Sequence, residues 1–183
     1  MSWRSFFVGL LAAPLVLAGA SVSSLAADNP PPDAVPLSPS ELAAIYSGKT
    51  WVWSNGGGAY TAPDGTFIAA SIDGLKQSYA NGRWFARSKG RLCWQATWYG
   101  RYSGWPALSC FQHVQSNGVI YQRGYPKGTW GIFAHNPTLQ YDGINYVKDG
   151  DLVEPGYAAA KAFLHRKDIR QPPEAFALVT GGK

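Results

Sequence analysis

Residues 91–99 read RLCWQATWY, and every second position from Leu92 to Trp98 is apolar. This alternation has the period of a β-strand that buries one face and exposes the other. A second segment of similar character, ALSCFQHVQ at residues 107–115, follows the turn-rich stretch GRYSGWP. Together the two segments predict a pair of antiparallel strands.

Each of these two segments contains one cysteine, and the chain has no others. Antiparallel pairing could place Cys93 opposite Cys110, and an even number of cysteines in an exported protein favours a disulfide. The alternative is a thiol nucleophile or a metal ligand, but no CxxC motif is present. We therefore expect a structural disulfide between Cys93 and Cys110.

The same chemistry recurs from residue 50 to about residue 153. Short runs of aromatic and β-branched residues alternate with Asn-Gly and Asp-Gly pairs, which supply the positive φ of tight hairpin turns. This pattern predicts a mainly β fold, either a small antiparallel β-barrel or a strongly curved meander sheet. The turn pairs are Asp64-Gly65, Asp73-Gly74, Asn81-Gly82, Asn117-Gly118, Asp142-Gly143 and Asp149-Gly150.

A run of three glycines lies at residues 56–58 within TWVWSNGGGAYTAPDGTF, residues 50–67. A phosphate-binding loop would need a helix and a Lys-Ser/Thr pair after the glycines, and neither follows them. The glycines instead predict a bulge, a tight bend or a close backbone approach within the sheet. Trp51 and Trp53 share one face of the preceding strand, and we expect that face to be the core.

Two helices are expected beside the sheet. Ser38, Pro39 and Glu41 have the positions of an N-cap, a first helical residue and a capping-box partner. They predict an N-terminal helix that ends at Gly48 and covers one end of the sheet. The segment GYAAAKAFLHRK, residues 156–167, predicts a short amphipathic helix near the C-terminus.

The first 27 residues have the order of a secretory signal peptide: Arg4, an apolar run, and small residues up to Ala27. A membrane anchor is the alternative, but the apolar run is short and contains Pro14. We expect no membrane span after cleavage. Four prolines within residues 28–37 predict an extended tether, and residues 38–183 are expected to form a single β-rich domain.

The distribution of charge favours an anionic partner. No Asp or Glu lies between Gly74 and Tyr141, whereas this stretch contains eight Lys and Arg residues interleaved with aromatic rings. Arginine pairs with carboxylate or phosphate, and an aromatic ring can stack on a sugar. Alternatively, the rings form the core and the acidic ends of the chain neutralise the basic middle. The candidate ligand-binding residues are Arg83, Arg87, Arg101, Tyr102, Trp105 and Arg123.

No catalytic, metal or cofactor motif is recognisable. The chain has no G-x-S-x-G, and His113, His135 and His165 are not spaced as metal ligands. We expect surface or hydrogen-bonded structural roles for the histidines. A glycosidase-type carboxylate pair stays open, and its candidates, Asp64, Asp73 and Asp142, all precede a glycine in a predicted turn.

The segments LSPSELAAIYSGKTWVW, YTAPDGTF, GRWFARSKGRLCWQATW and SCF, in this order, resemble a family of exported bacterial proteins of unknown function. The resemblance extends over about residues 37 to 135. It implies export, a single small β domain and paired cysteines, and it implies no activity and no site residues.

We therefore expect a periplasmic or secreted protein that binds an anionic envelope component, such as an acidic polysaccharide, without catalysing a reaction. Nucleic acid is not an expected partner of an exported protein, and neither a cofactor nor a metal is expected. Two alternatives stay open. One is a small periplasmic inhibitor or accessory protein that acts on a protein partner, and the other is a hydrolase with an unrecognised carboxylate pair.

Overall fold

The computed structural model describes residues 28–60, 64–102 and 104–165. The predicted signal peptide, residues 1–27, lies outside the described residues, as does the chain beyond residue 165. Within the described part, no helix combines the length and the apolar character that crossing a bilayer requires.

The fold is a curled antiparallel sheet with two helices, as predicted. Neighbouring strands from β2 to β9 are consecutive in sequence, β10 pairs with β2, and β1 pairs with β7. The sheet is thus a strongly curved meander that forms a half-barrel. Its strands are β1 Val35–Pro36, β2 Lys49–Trp53, β3 Gly56–Tyr60, β4 Thr66–Asp73, β5 Lys76–Arg87, β6 Arg91–Tyr99, β7 Gly104–Ser116, β8 Val119–Tyr125, β9 Gly131–Ala134 and β10 Val147–Asp149.

The hairpin of β6 and β7 has the predicted alternation. Leu92, Trp94 and Ala96 are buried in the main core, on the concave face of the sheet. Cys93 lies on the opposite, convex face and pairs directly with Cys110. The two form the predicted disulfide, with their Cα atoms 4.1 Å apart.

The turn chemistry was predicted correctly at Asp64-Gly65, in the turn before β4, and at two further hairpins, and wrongly at one. Asp73-Gly74 joins β4 to β5, and Asn117-Gly118 joins β7 to β8. Asn81 and Gly82, however, lie inside β5. A Cβ at Gly82 would lie 2.1 Å from the carbonyl oxygen of Gln95, so this glycine permits close approach of β6 and does not form a turn.

The three glycines begin strand β3. A Cβ at Gly56 would lie 1.9 Å from the carbonyl oxygen of Ala70, and one at Gly58 would lie 2.7 Å from the ring of Phe67. The predicted close backbone approach within the sheet is therefore confirmed.

Helix α1, Pro39–Tyr46, packs against β2, β5 and β6 on the concave side of the sheet. The predicted capping box is present: the backbone N–H of Glu41 donates to Oγ of Ser38 at 3.2 Å, and the N–H of Ser38 donates to the Glu41 carboxylate at 2.7 Å. Leu42 and Tyr46 are fully buried. The helix thus fills the interior of the half-barrel at one end.

The segment predicted as an extended tether contacts the domain. Val35 and Pro36 pair with Gln115 and Val114 of β7. Ser116 donates a hydrogen bond to the carboxylate of Asp33 at 2.9 Å. Proline composition alone does not predict these contacts, because they depend on a free strand edge elsewhere in the chain.

Helix α2, Glu154–Leu164, confirms the predicted C-terminal helix and packs against β4 and β5. Val153, at its start, lies in a small second core with Ala59 and Ala70, and Tyr157 packs against this core. Because Ala70 lies on the convex face, α2 covers the part of that face formed by β4 and β5, while α1 packs on the concave face.

Candidate functional site

A row of arginines crosses the convex face of the sheet at the end where β6 begins. Arg87 on β5 pairs directly with Arg91 on β6, Arg91 with Gln112 on β7, and Gln112 with Arg123 on β8. Directly paired residues of antiparallel strands point to the same face. These four side chains therefore form one line across four strands, which we call the arginine row.

Each arginine of this row lies against an aromatic ring. Contacts of this kind hold the planar guanidinium flat on the surface and leave its N–H groups available at the edges. The guanidinium carbon lies 4.5 Å from the ring centroid for Arg87 and Phe85, 5.2 Å for Arg91 and Tyr125, and 4.8 Å for Arg123 and Trp130.

Hydrogen bonds fix one end of the row. Nε and Nη2 of Arg123 donate to Oε1 of Gln112 at 3.1 and 2.8 Å, and Nε2 of Gln112 donates to the backbone oxygen of Lys89 at 3.2 Å. Nε of Arg91 is buried and has no hydrogen-bond partner. The row therefore retains an unused buried donor.

No carboxylate neutralises the arginine row within the part of the chain that the structure describes. The ion pairs there lie elsewhere, between Lys49 and Asp149 at 3.7 Å and between His135 and Asp142 at 2.6 Å. The predicted alternative, in which the acidic ends of the chain neutralise the basic middle, therefore finds support among the described residues only outside the arginine row, where Asp64 lies beside Arg83 and Asp73 pairs directly with Lys76.

The structure does not bring the six predicted site residues together. Arg87 and Arg123 lie in the arginine row. Arg83 shares their face, but it donates to the backbone oxygen of Asp64 and so holds the turn before β4. Arg101 and Tyr102 lie at the opposite end of β6, in its connection to β7.

Trp105 lies on the other face of the sheet from the arginine row. It pairs directly with Trp98, which faces the concave side.

Sequence reasoning missed Arg91, although its parity with Cys93 could have placed it on the convex face with Arg87. The direct pairing of Arg87 with Arg91 could not be predicted without the register of the β5–β6 hairpin.

The concave face contains a cavity of about 450 Å³, which we call the aromatic cavity. Its predominantly aromatic lining was predicted as ordinary core, yet four of its rings remain partly exposed. The lining residues are Trp51, Trp53, Trp94, Trp98, Phe111, Ser71 and Ser78.

Below this cavity, a buried polar cluster joins α1 to the sheet. Nε2 of His113 lies 2.8 Å from the hydroxyl of Tyr46 and 2.8 Å from Nε2 of Gln122. Burial lowers the pKa of His113 from 6.5 to about 4 and raises the pKa of Tyr46 well above 10. Both groups are therefore neutral at neutral pH, which is the state that a buried structural cluster requires.

A second buried polar group, Asp142, holds the chain after β9. Its carboxylate accepts from the backbone N–H groups of His135 and Leu139, both at 2.8 Å, and lies 2.6 Å from Nδ1 of His135. Burial raises the pKa of Asp142, but these hydrogen bonds outweigh it and the pKa lies below its ordinary value.

Among the described residues, no group of three or more His, Cys, Asp or Glu side chains could hold a metal ion.

A family model described as a protein of unknown function, DUF995, matches residues 14–153, more than half of the chain. The chain belongs to the DUF995 family. No curated protein and no solved structure matches it.

The DUF995 match ends one residue before α2 begins. It therefore contains every strand of the half-barrel, helix α1, the arginine row and the aromatic cavity. Both candidate binding features lie in the part of the chain that defines the DUF995 family.

Proposed function

We propose that this protein is exported to the cell envelope and binds an acidic polysaccharide or a similar anionic component through the arginine row, without catalysing a reaction. The observation that supports this proposal is the direct pairing of Arg87 with Arg91 on an exposed sheet face without a carboxylate partner among the described residues.

Without a bound anion, the electrostatic energy of the arginine row is unfavourable. Like charges directly opposite each other on antiparallel strands destabilise the pair. A bound carboxylate would relieve this repulsion, because each carboxylate oxygen can accept hydrogen bonds from a guanidinium. Hydrogen bonds to charged groups contribute about 1.5–3 kcal/mol.

The spacing of the row favours a polymer over a single small anion. Arg87, Arg91 and Arg123 lie on three of four neighbouring strands, and neighbouring strands lie about 4.8 Å apart. A chain with repeated carboxylates could engage several guanidinium groups at once, and the exposed edge of Tyr125 offers a ring for sugar contact.

Export is supported by two features of the chain. The signal-peptide pattern lies in residues 1–27, outside the described residues. The disulfide between Cys93 and Cys110 is of the kind that persists in oxidising compartments such as the periplasm. Fusing residues 1–27 to a reporter that is active only outside the cytoplasm tests this part directly, and an inactive reporter would contradict it.

The binding proposal is tested with polygalacturonate as the anionic probe and dextran as the neutral one. We expect polygalacturonate to bind, with an affinity that falls as salt screens the charges, and dextran not to bind. Replacing Arg87, Arg91 or Arg123 by Gln should each weaken binding by about tenfold or more. Lys148→Gln, an exposed cation on β10, is the matched control and should have little effect.

Two results would overturn this proposal. One is equal binding of dextran and polygalacturonate. The other is a salt-insensitive one-to-one complex with an envelope protein that survives all three arginine substitutions, which would favour the inhibitor or accessory-protein alternative.

A further inference from the structure

We propose that the aromatic cavity binds the hydrocarbon chain of a single-chain anionic amphiphile, such as a fatty acid. This site lies on the concave face of the sheet, opposite the arginine row, and its assignment does not depend on the function proposed for that row.

The size and lining of the cavity match a hydrocarbon chain. A volume of about 450 Å³ lies within the range of small-molecule sites, which is about 300–1,000 Å³. Five aromatic rings and two serine hydroxyls form its lining. The lining offers the hydroxyls of a sugar few polar partners, whereas a hydrocarbon chain has no hydroxyl to satisfy.

Contacts among three of its lining rings preform part of the cavity. Trp51 packs edge-on against Phe111 with centroids 4.8 Å apart, and Phe111 lies 5.2 Å from Trp94. Trp94 in turn stacks on Phe67 at 5.3 Å. A preformed site binds without the cost of ordering its side chains.

The glycine strand β3 leaves room for this arrangement. A Cβ at Gly58 would lie 2.7 Å from the Phe67 ring and 3.3 Å from the ring of Trp53, and one at Gly56 would lie 2.7 Å from Nε1 of Trp53. Side chains on β3 would therefore displace two of the rings that shape the cavity. Gly56 and Gly58 thus serve the cavity as well as the sheet.

The rings on this face are incompletely covered. Trp51, Trp53, Trp98 and Phe111 keep part of their surface in solvent, although they lie beside the main core. Covering apolar surface contributes about 25 cal/mol per Å², so a hydrocarbon chain in this cavity would gain a substantial part of its binding energy from these rings.

The neighbouring surface supports an anionic head group. A second cavity, of about 510 Å³, shares Ser71 and Ser78 with the aromatic cavity. Its lining includes Lys76 and Arg101 and a single carboxylate, that of Asp73. The excess positive charge at this shared opening favours a carboxylate at the end of the bound chain.

The test compares dodecanoate, dodecanol and cellopentaose, each below any concentration at which it self-associates. Binding is measured by calorimetry and by tryptophan fluorescence, because four indoles line the site. We expect dodecanoate to bind with one-to-one stoichiometry, dodecanol to bind more weakly, and cellopentaose not to bind.

Variants locate the ligand. Ser78→Leu fills the cavity and should weaken dodecanoate binding by about tenfold or more, whereas Gln95→Leu, an exposed position on the convex face of β6, should not. Trp98→Ala provides a second test with a smaller side chain, in case Ser78→Leu does not fold. Arg101→Gln should weaken binding of dodecanoate but not of dodecanol.

Three outcomes would overturn the proposal. The first is binding of cellopentaose but not of dodecanoate. The second is dodecanoate binding that neither Ser78→Leu nor Trp98→Ala changes, in variants whose folding is verified by circular dichroism. The third is equal affinity for dodecanoate and dodecanol with no effect of Arg101→Gln, which would contradict the anionic head group.

Discussion

The phenol hydroxyl of Tyr46, at the end of α1, lies 2.8 Å from Nε2 of His113 on β7. Gln122 on β8 contacts both groups, at 3.0 and 2.8 Å. Helix α1 is thereby joined to β7 and β8 through the fully buried imidazole of His113. The charge state of this imidazole should govern how acid affects the fold.

Stability should fall as the pH drops from about 6.5 to 4. Burial lowers the pKa of His113 to about 4 in the folded state, whereas the unfolded chain takes up a proton near pH 6.5. The contribution of neutral His113 is therefore complete above the unfolded pKa and is lost as the pH falls through the folded one. The loss should be about 3 kcal/mol, measured by urea unfolding across this range.

His113→Gln separates this contribution from that of the carboxylates. The variant should be less stable at pH 8, yet its stability should depend less on pH between 6.5 and 4. His165→Gln, at the exposed end of α2, should keep the wild-type pH profile. A His113→Gln profile parallel to that of the wild type would show that other groups cause the acid sensitivity.

Removing the Asp142 carboxylate should destabilise the fold strongly. Asp142→Asn places an amide where two backbone N–H groups and His135 now donate to a buried carboxylate. We expect a loss of about 2–3 kcal/mol in the free energy of unfolding, because hydrogen bonds to a charged group are lost. Asp149→Asn, whose side chain is 95% exposed, should cost less than about 1 kcal/mol. Similar losses for the two variants would be incompatible with this interpretation.

Gly82→Ala should destabilise the sheet, although the strand propensity of alanine is at least as high as that of glycine. Its Cβ would lie 2.1 Å from the backbone oxygen of Gln95, so β5 and β6 would have to separate. We expect a loss of about 2 kcal/mol or more in the free energy of unfolding, as for other overpacked sites. Gly124→Ala on β8, where a Cβ has nothing within 4 Å, is the matched control. If both variants unfold at the same urea concentration, the close approach of β5 and β6 is not what requires glycine at position 82.

Reducing the disulfide should lower stability without changing the register of β6 and β7. Cys93 and Cys110 are 17 residues apart, and closing a loop of this size stabilises a fold by about 3 kcal/mol. The double variant Cys93→Ala, Cys110→Ala should match the reduced wild type in urea unfolding and should not respond to reductant. An unchanged unfolding midpoint after complete reduction, verified by thiol titration, would refute this prediction.

Local patterns were sufficient wherever the structure depends on neighbouring residues. The alternation in RLCWQATWY fixed which side of β6 is buried, because successive side chains of a strand point to opposite faces. The capping residues Ser38 and Glu41 likewise predicted the start of α1, because both act within one helical turn. The disulfide followed from two such strands joined by a turn-rich segment.

Local patterns failed where the structure depends on the partner strand. Asn81-Gly82 has the composition of a hairpin turn, but the chain continues through it as β5. The turn that does reverse the chain is formed by Lys89 and Gly90, both with positive φ. A glycine that permits close strand packing and one that permits a turn have the same sequence signature, so only the sheet distinguishes them.

The sequence alone thus determined the β-rich architecture, the buried face of β6, the capped helix and the cysteine pair, because short-range periodicity and turn chemistry govern all four. Tertiary structure decided the rest. Strand register placed Arg87 opposite Arg91, and sheet curvature left Trp51 and Trp98 lining a cavity when their sequence pattern indicated an ordinary core. Both outcomes arise from pairing between residues distant in the chain, and no local pattern encodes the register or the curvature that produces them.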